Sequence, residues 1–440
     1  MRRLGVAVAA ALTLGPGKAL AHAADQGFVL LLPTDIYIAA GVATVALTVG
    51  LLAVLPPGVA AALFRPVALL PRSGIPLRHV TSCLSAALLA FLVWRGLTGG
   101  HDPLTNPLPL AVWTVWWIGL VTVQGLLGNH WRWTNPFTGP AAALARMSGG
   151  RPPLRLPRAL GHAPAIVLFM GFAGFLMADI APADPHRLAV VAGLYWLAML
   201  AGVVLFGPRW MVRGEALTVL MRSYARGRKV PASLALFILL MLGAGSFDGV
   251  NETFWWLVQI GINPLEFPGR SAVVAENLVG LLVANVALVA IFAVSLWLGE
   301  RIAGTNRTVL QSVRVFAPSI LPIALGYHIA HYLTSALVNG QYVLKALNDP
   351  LNSGADLLGL GTFHVTTGFL NTPGTVQAIW LTQAGAVVGG HVLAILVAHA
   401  LAVRGHGSSW RATLGQAPLA GFMVAYTFFG LWLLASPRGV

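Results

Sequence analysis

Ten times along this chain a run of about twenty residues passes with almost no charge, the length a helix needs to cross a hydrocarbon core of ~30 Å. The runs fall at 36–55, 80–97, 108–127, 164–180, 187–206, 231–247, 273–298, 315–337, 376–402 and 417–436. Lipid offers no partners to backbone N–H and C=O groups, so each run must satisfy its own, as a helix does. A soluble helical protein would need a polar surface to cover such helices. Only 9% of these 440 residues are charged and 57% are hydrophobic, where soluble domains carry roughly 25% charge. The expected fold is all-α, a polytopic membrane bundle of about ten transmembrane helices.

Charge supplies the sidedness. Residues 1–23 read as a cleaved signal peptide: Arg2 and Arg3 precede an apolar run at Gly5–Leu14, then small-x-small sites end at Ala21 and Ala23. Residues 24–440 then form one transmembrane domain whose first residues lie outside. In that topology the inner segments are 56–79, 128–163, 207–230, 299–314 and 403–416. They hold 3, 5, 6, 3 and 2 Lys or Arg, nineteen of the 27 in the chain. Outside the signal segment, the remaining positions hold only Arg95, Arg187, Arg270, Lys345 and Arg438. This is the positive-inside pattern of a bacterial inner-membrane protein with both mature termini on the periplasmic side. Of the acids only Glu215 and Glu300 lie inside, and the other eleven lie on the outer side. The net charge of +14 is therefore an orientation signal and calls for no nucleic-acid partner. The acidic outer side favours cationic or neutral solutes arriving there. A single cysteine, Cys83, excludes an internal disulfide.

Outer segments 248–272 and 338–375 are the longest and are expected to cover a site. The tryptophans Trp113, Trp116, Trp117, Trp131, Trp133, Trp255 and Trp256 fit an interfacial belt, or the walls of a pocket. Gly243, Gly245, Gly389 and Gly390 would let helices approach closely. The passages GNHWRWTNP and FGPRWMVRGE sit at equivalent inner ends and hint at a duplication.

Ionisable groups at lipid depth are costly unless paired or functional. His328 and His331 lie three apart in span 8, on one helix face. His391 and His399 lie eight apart in span 9, separated by about 12 Å along the axis. Counting rise from the inner ends places His328, His331 and His391 together in the outer half of the membrane. Asp179, Asp248 and Glu276 reach a similar level. Three imidazoles with a carboxylate suit a divalent ion such as Zn or Cu. Histidines on facing helices could instead hold a haem iron, carry protons, or serve packing alone. A mature N-terminal His22 would offer copper an amine and a ring nitrogen. No Walker loop, dinucleotide loop, GxSxG elbow or CxxCH is present, which argues against ATP-driven pumping by this chain.

The stretches SFDG at 246–249, LPIALGYHIAHYLTS at 321–335, NGQ at 339–341, NDPLNSGADLLG at 348–359, GHVLAILVAHA at 390–400 and GQAPLAGFMVAYTFFGLWLL at 415–434 resemble a bacterial polytopic family commonly labelled fenitrothion hydrolase. WRWTNPF at 131–137 and FGPRW at 206–210 extend the resemblance over nearly the whole mature chain. Ala400 stands where many members carry an aspartate. The resemblance implies hydrolysis of apolar phosphotriesters. The leading expectation is a metal-dependent membrane hydrolase. His328, His331 and His391 would hold the metal, Asp179 and His22 are further candidates, and Asp248 or Glu276 would activate water as the catalytic base. The alternatives are a permease or copper-handling protein, with His399 as the lower step of a polar path, and a haem-bearing electron-transfer subunit. Expected partners are membrane lipid, a second membrane subunit, and a small apolar substrate or metal ion.

Overall fold

The structure is a computed structural model that describes residues 29, 31–54, 75–147, 152–224, 230–406 and 409–438. The signal segment, His22 and most of the first inner segment lie outside the described residues. Among these residues nine helices are long and apolar enough to cross a membrane, and the shorter Ala163–Ala178 makes a tenth apolar helix. In chain order they are α1 (Thr34–Val54), α2 (Ile75–Thr98), α3 (Pro107–Leu127), α4 (Ala163–Ala178), α5 (Pro185–Phe206), α6 (Ala232–Val250), α7 (Val274–Ile302), α8 (Leu321–Asn348), α9 (Pro373–His406) and α10 (Ser409–Ala435). The protein is an all-α multi-pass helical bundle in contact with lipid.

Helix starts follow from local chemistry. Asn106 accepts from the Leu108 N–H and Asp184 from the Arg187 N–H, each just ahead of a proline in the first turn. Helix α3 departs from the α register. It is a π-helix over Leu110–Leu120 and returns to α at Val121–Leu127. That segment carries Trp113, Trp116 and Trp117, which pack against Phe172 of α4. The apolar pattern of the sequence does not distinguish this wider register from an α-helix.

Burial orders the bundle. In α6, 78% of the most apolar window is buried, against 11% in α1. A helix apolar on every side belongs in a core, and α6 packs against α4, α7 and α8. Helix α7 shows the opposite pattern on one face: Leu278, Val279, Leu282, Val283 and Val286 are exposed at helical spacing and form a lipid-facing stripe. Helices α8 and α9 cross most closely where Gly326 meets the backbone of Ala386 and Gly390 meets the carbonyl of Pro322. Gly243 abuts Asn285, whereas Gly245 and Gly389 face open space, so only two of the four expected glycines make a close approach.

The connections sort onto two ends. At the expected outer end Arg95 donates to the Leu351 carbonyl, Arg270 to that of Leu176, and the Phe254 N–H to that of Pro437. At the expected inner end Ser82 donates to Asn135, Gln124 to Met221, and the Val230 N–H to Arg314, in each case to the backbone carbonyl. Helices α3 and α5 both stop at a positive-φ glycine there, Gly128 and Gly207, and each is followed by a short helix.

The tryptophans mostly turn inward. Trp131 is buried and donates to Thr218, Trp256 donates to Asn277, and Trp113 to the Pro182 carbonyl. Trp255 is half exposed, as a belt residue would be.

Candidate functional site

A cavity of about 410 Å³ opens among the expected outer ends of α4 and α7–α10. Its walls mix apolar Trp380, Val376 and Ile379 with polar Asn277, Ser335 and Gln383. The outer segment 248–272 contributes Asn251, Glu252, Leu257, Phe267 and Arg270. Segment 338–375 contributes none of the described lining residues. It begins as about three further turns of α8 and then runs as an exposed loop pinned to Arg95. The chain end, Leu434–Arg438, covers the cavity where that segment was expected, held by the hydrogen bond from Phe254 to Pro437.

At the cavity floor stands a buried polar triad. His331 Nε2 lies 3.1 Å from Asp248 Oδ2, and the Tyr332 hydroxyl donates to the same oxygen. Asp248 comes from the last turns of α6, the most buried helix, and both partners come from α8. A carboxylate taken out of water needs such donors to remain ionised. His331 and Tyr332 line the cavity on one side. On the other they line an inner chamber of about 40 Å³, together with Asp248, His328, Trp117 and Tyr327. That space holds roughly one water, given ~30 Å³ for each in the liquid.

His328 is buried, edge-on to Trp117, with the backbone carbonyls of Trp117 and Ile118 beside its ring. These carbonyls belong to the π-segment of α3. His328 Nε2 has no hydrogen-bond partner. His391 lies elsewhere, on the far side of α8, between Tyr327 and Tyr426. Its Nδ1–H donates to the Val387 carbonyl at 2.8 Å, and Nε2 is buried without a partner. Tyr327 donates to the Tyr426 carbonyl, and the Tyr426 hydroxyl shares a 2.6 Å hydrogen bond with Ser246, two residues below Asp248.

The three histidines therefore do not meet at one point: His328 and His331 line one chamber and His391 does not. Tyr327, His328 and His331 leave α8 in different directions, toward α9, α3 and α6 respectively. Among the described residues no group of three or more His, Cys, Asp or Glu is gathered closely enough to hold a metal ion.

The other expected site residues are displaced from the pair. Glu276 is exposed on α7, while its neighbour Asn277, a helical step of about 100° round, faces the cavity. Asp179 ends α4 and is held by Arg187, with Nε at 2.9 Å and Nη2 at 2.7 Å, away from Asp248. His399 meets Gln416 at 3.0 Å near the inner end of α9. Between His391 and His399 the buried Ala394, Ile395 and Ala398 are apolar, and Gln416 spans part of the gap by donating to the Ile395 carbonyl at 3.3 Å.

Sequence reasoning overlooked Tyr332 and Tyr426. Tyrosines adjoin the candidate histidines in the sequence (Tyr327-His328 and His331-Tyr332), and that adjacency was the available signal. Comparison of the chain with models of known protein families, with curated proteins and with solved structures matches none of them.

Proposed function

We propose that this chain is a proton-linked membrane permease, open to the outer side in this conformation. The observation that carries the reading is the hydrogen bond between Asp248 and His331 at the floor of the outer cavity. An intramembrane carboxylate paired with an imidazole, wetted from one side, has the make-up of a proton-relay site. In the protonated pair His331 is an imidazolium, with Nε2–H donated to the Asp248 carboxylate and a second proton on Nδ1. Losing that proton changes the pair from neutral to singly negative. Solute in the cavity feels this change directly, because His331 and Tyr332 are part of the wall.

The inner half completes the picture of one gate open and one closed. Below the pair the hydroxyls of Ser246 and Tyr426 lead toward His391, and the small buried residues Ala394, Ile395 and Ala398 then seal the way to His399. Rocking of α8 against α9 about the Gly326–Gly390 crossing would open this side. The reading takes the protein to sit in a bacterial inner membrane with Arg438 on the outer side, a sidedness supported by the distribution of Lys and Arg along the sequence.

The test uses protein reconstituted into vesicles with a trapped pH dye. A gradient of a transported solute changes the lumen pH in the wild type, and Asp248→Asn lowers that rate at least ~10-fold while the protein stays folded. A full-rate Asp248→Asn variant, or no dye response to any solute in a panel of ionic and neutral compounds, contradicts the reading.

A second reading keeps the hydrolysis implied by the family resemblance. The same Asp248–His331 pair is suited to take a proton from a water in the cavity. His328 and His331, which line one chamber, would be the imidazoles available to a Zn or Cu ion. Turnover of a neutral aryl phosphotriester, lost in His331→Gln, and stoichiometric metal lost in His328→Ala would favour it over transport.

A further inference from the structure

The outer side of this chain is acidic, yet the cavity wall reverses that bias. Only five Lys or Arg lie outside the signal and inner segments, and two of them, Arg270 and Arg438, line the cavity. Among the described residues Glu252 is the one outer carboxylate that lines it, and Glu252 is 3.4 Å from Arg438. That pair cancels, which leaves the Arg270 guanidinium as the net charge of the wall. Arg270 donates to the Leu176 carbonyl at 2.6 Å, using one of its several N–H donors, and forms no ion pair among the described residues. Opposite the polar groups, Trp380, Leu257, Val376 and Ile379 give the cavity an apolar side.

We infer that the cavity binds a small organic monoanion with an apolar body, its acidic group against Arg270 and its body against Trp380. This inference rests on the permease reading and fixes its substrate class and direction of coupling. The Asp248–His331 pair is neutral when protonated and negative when not. An anion in the cavity is repelled by the deprotonated pair and tolerated by the protonated one. Anion and proton therefore each strengthen the binding of the other, by the same factor. The two move together, as symport. A cationic solute would show the opposite linkage and exchange against protons. The charged and titratable groups facing His331 are Asp248, Glu252 and Arg438, with Tyr332 and His328 from its own helix. The ion pair of Glu252 with Arg438 leaves the sign of this linkage to Asp248 and His331.

The probe is benzenesulfonate, a permanent anion that does not carry protons through lipid on its own. Phenyltrimethylammonium and benzyl alcohol serve as the cationic and neutral counterparts. In vesicles containing wild-type protein and a pH dye, an inward benzenesulfonate gradient acidifies the lumen. Arg270→Gln raises the half-saturating concentration ~10-fold with little change in maximal rate, the pattern of a lost charge-assisted contact. In detergent, benzenesulfonate quenches tryptophan fluorescence in the wild type more tightly at lower pH, and more weakly in Arg270→Gln. A dye response to phenyltrimethylammonium or benzyl alcohol in place of the sulfonate overturns the anion assignment and leaves the permease standing. Arg270-dependent quenching by the sulfonate with no dye response from any probe keeps the anion site and overturns the permease. Equal quenching by all three probes, or an Arg270→Gln variant indistinguishable from the wild type, overturns the site.

Discussion

Two buried carboxylates in this chain have opposite surroundings, and the contrast separates structure from function. Glu215 lies in the connection between α5 and α6, outside the crossing helices, and is fully buried. It accepts from the N–H groups of Leu217 and Thr218 at the start of a short helix, and from the Tyr195 hydroxyl. Its backbone donors are the first N–H groups of that helix and it lines neither of the two cavities around Asp248, so its role is to cap the helix and tie it to Tyr195 of α5. Asp248 has fewer donors, one of them an imidazole, and borders the inner chamber, while its partners His331 and Tyr332 reach the larger cavity. Burial pushes the Glu215 carboxyl above its ordinary value, against the pull of the Thr218 and Tyr195 donors. The folded state thus binds this proton more tightly than the unfolded chain does. Its contribution is fullest below the unfolded value of ~4.3 and is lost as pH rises through the raised folded value. Glu215→Gln should flatten that part of the stability–pH curve, measured by thermal unfolding in detergent. Glu215→Ala should cost about 1–3 kcal/mol at any pH by leaving buried donors unpaired. Sequence alone marked Glu215 and Glu300 only as exceptions to the charge pattern, since burial depends on chain segments far apart in sequence.

At the level of helices, position along the membrane normal was legible and rotation about the helix axis was not. Depth follows from counting residues at a fixed rise, so His328, His331 and His391 were expected near one level, and the crossing of Gly326 with Gly390 brings the neighbourhoods of His328 and His391 together. Which neighbour each one faces depends on how α8 packs against α3, α6 and α9, and that is written in no single helix. The same limit explains why Asn277, not Glu276, reaches the cavity. The π-register of Leu110–Leu120 was equally hidden, because its apolar residues show no period that would reveal an extra residue per turn. Glycine spacing was a partial guide: a glycine in an apolar helix marks a close crossing only if a neighbour is there. Gly326→Ala and Gly390→Ala should each cost about 1–3 kcal/mol through overpacking of α8 on α9. Gly385→Ala and Gly389→Ala face open space and should leave the melting temperature unchanged.

The whole molecule is a bundle with a wide cavity at one end and close packing at the other. Its crossing helices were legible from apolar length, and its expected topology from the sidedness of Lys and Arg. The cavity was not, because its walls come from α4, from α7–α10, from the segment 251–273 and from Ser436–Arg438 folded back over Thr253 and Phe254. The outer acidity suggested cations as solutes; the assembled cavity instead gathers two of the few outer arginines. Water from the outer side should reach the Asp248–His331 pair through the cavity. Substituted-cysteine labelling tests this most directly, in a Cys83→Ser background, with a membrane-impermeant thiol reagent on intact spheroplasts. Ser335→Cys and His331→Cys should react from outside, the shallower Ser335→Cys faster, while Arg209→Cys at the opposite end should react only after the membrane is permeabilised. Labelling of Ser335→Cys and His331→Cys only after permeabilisation would contradict the account.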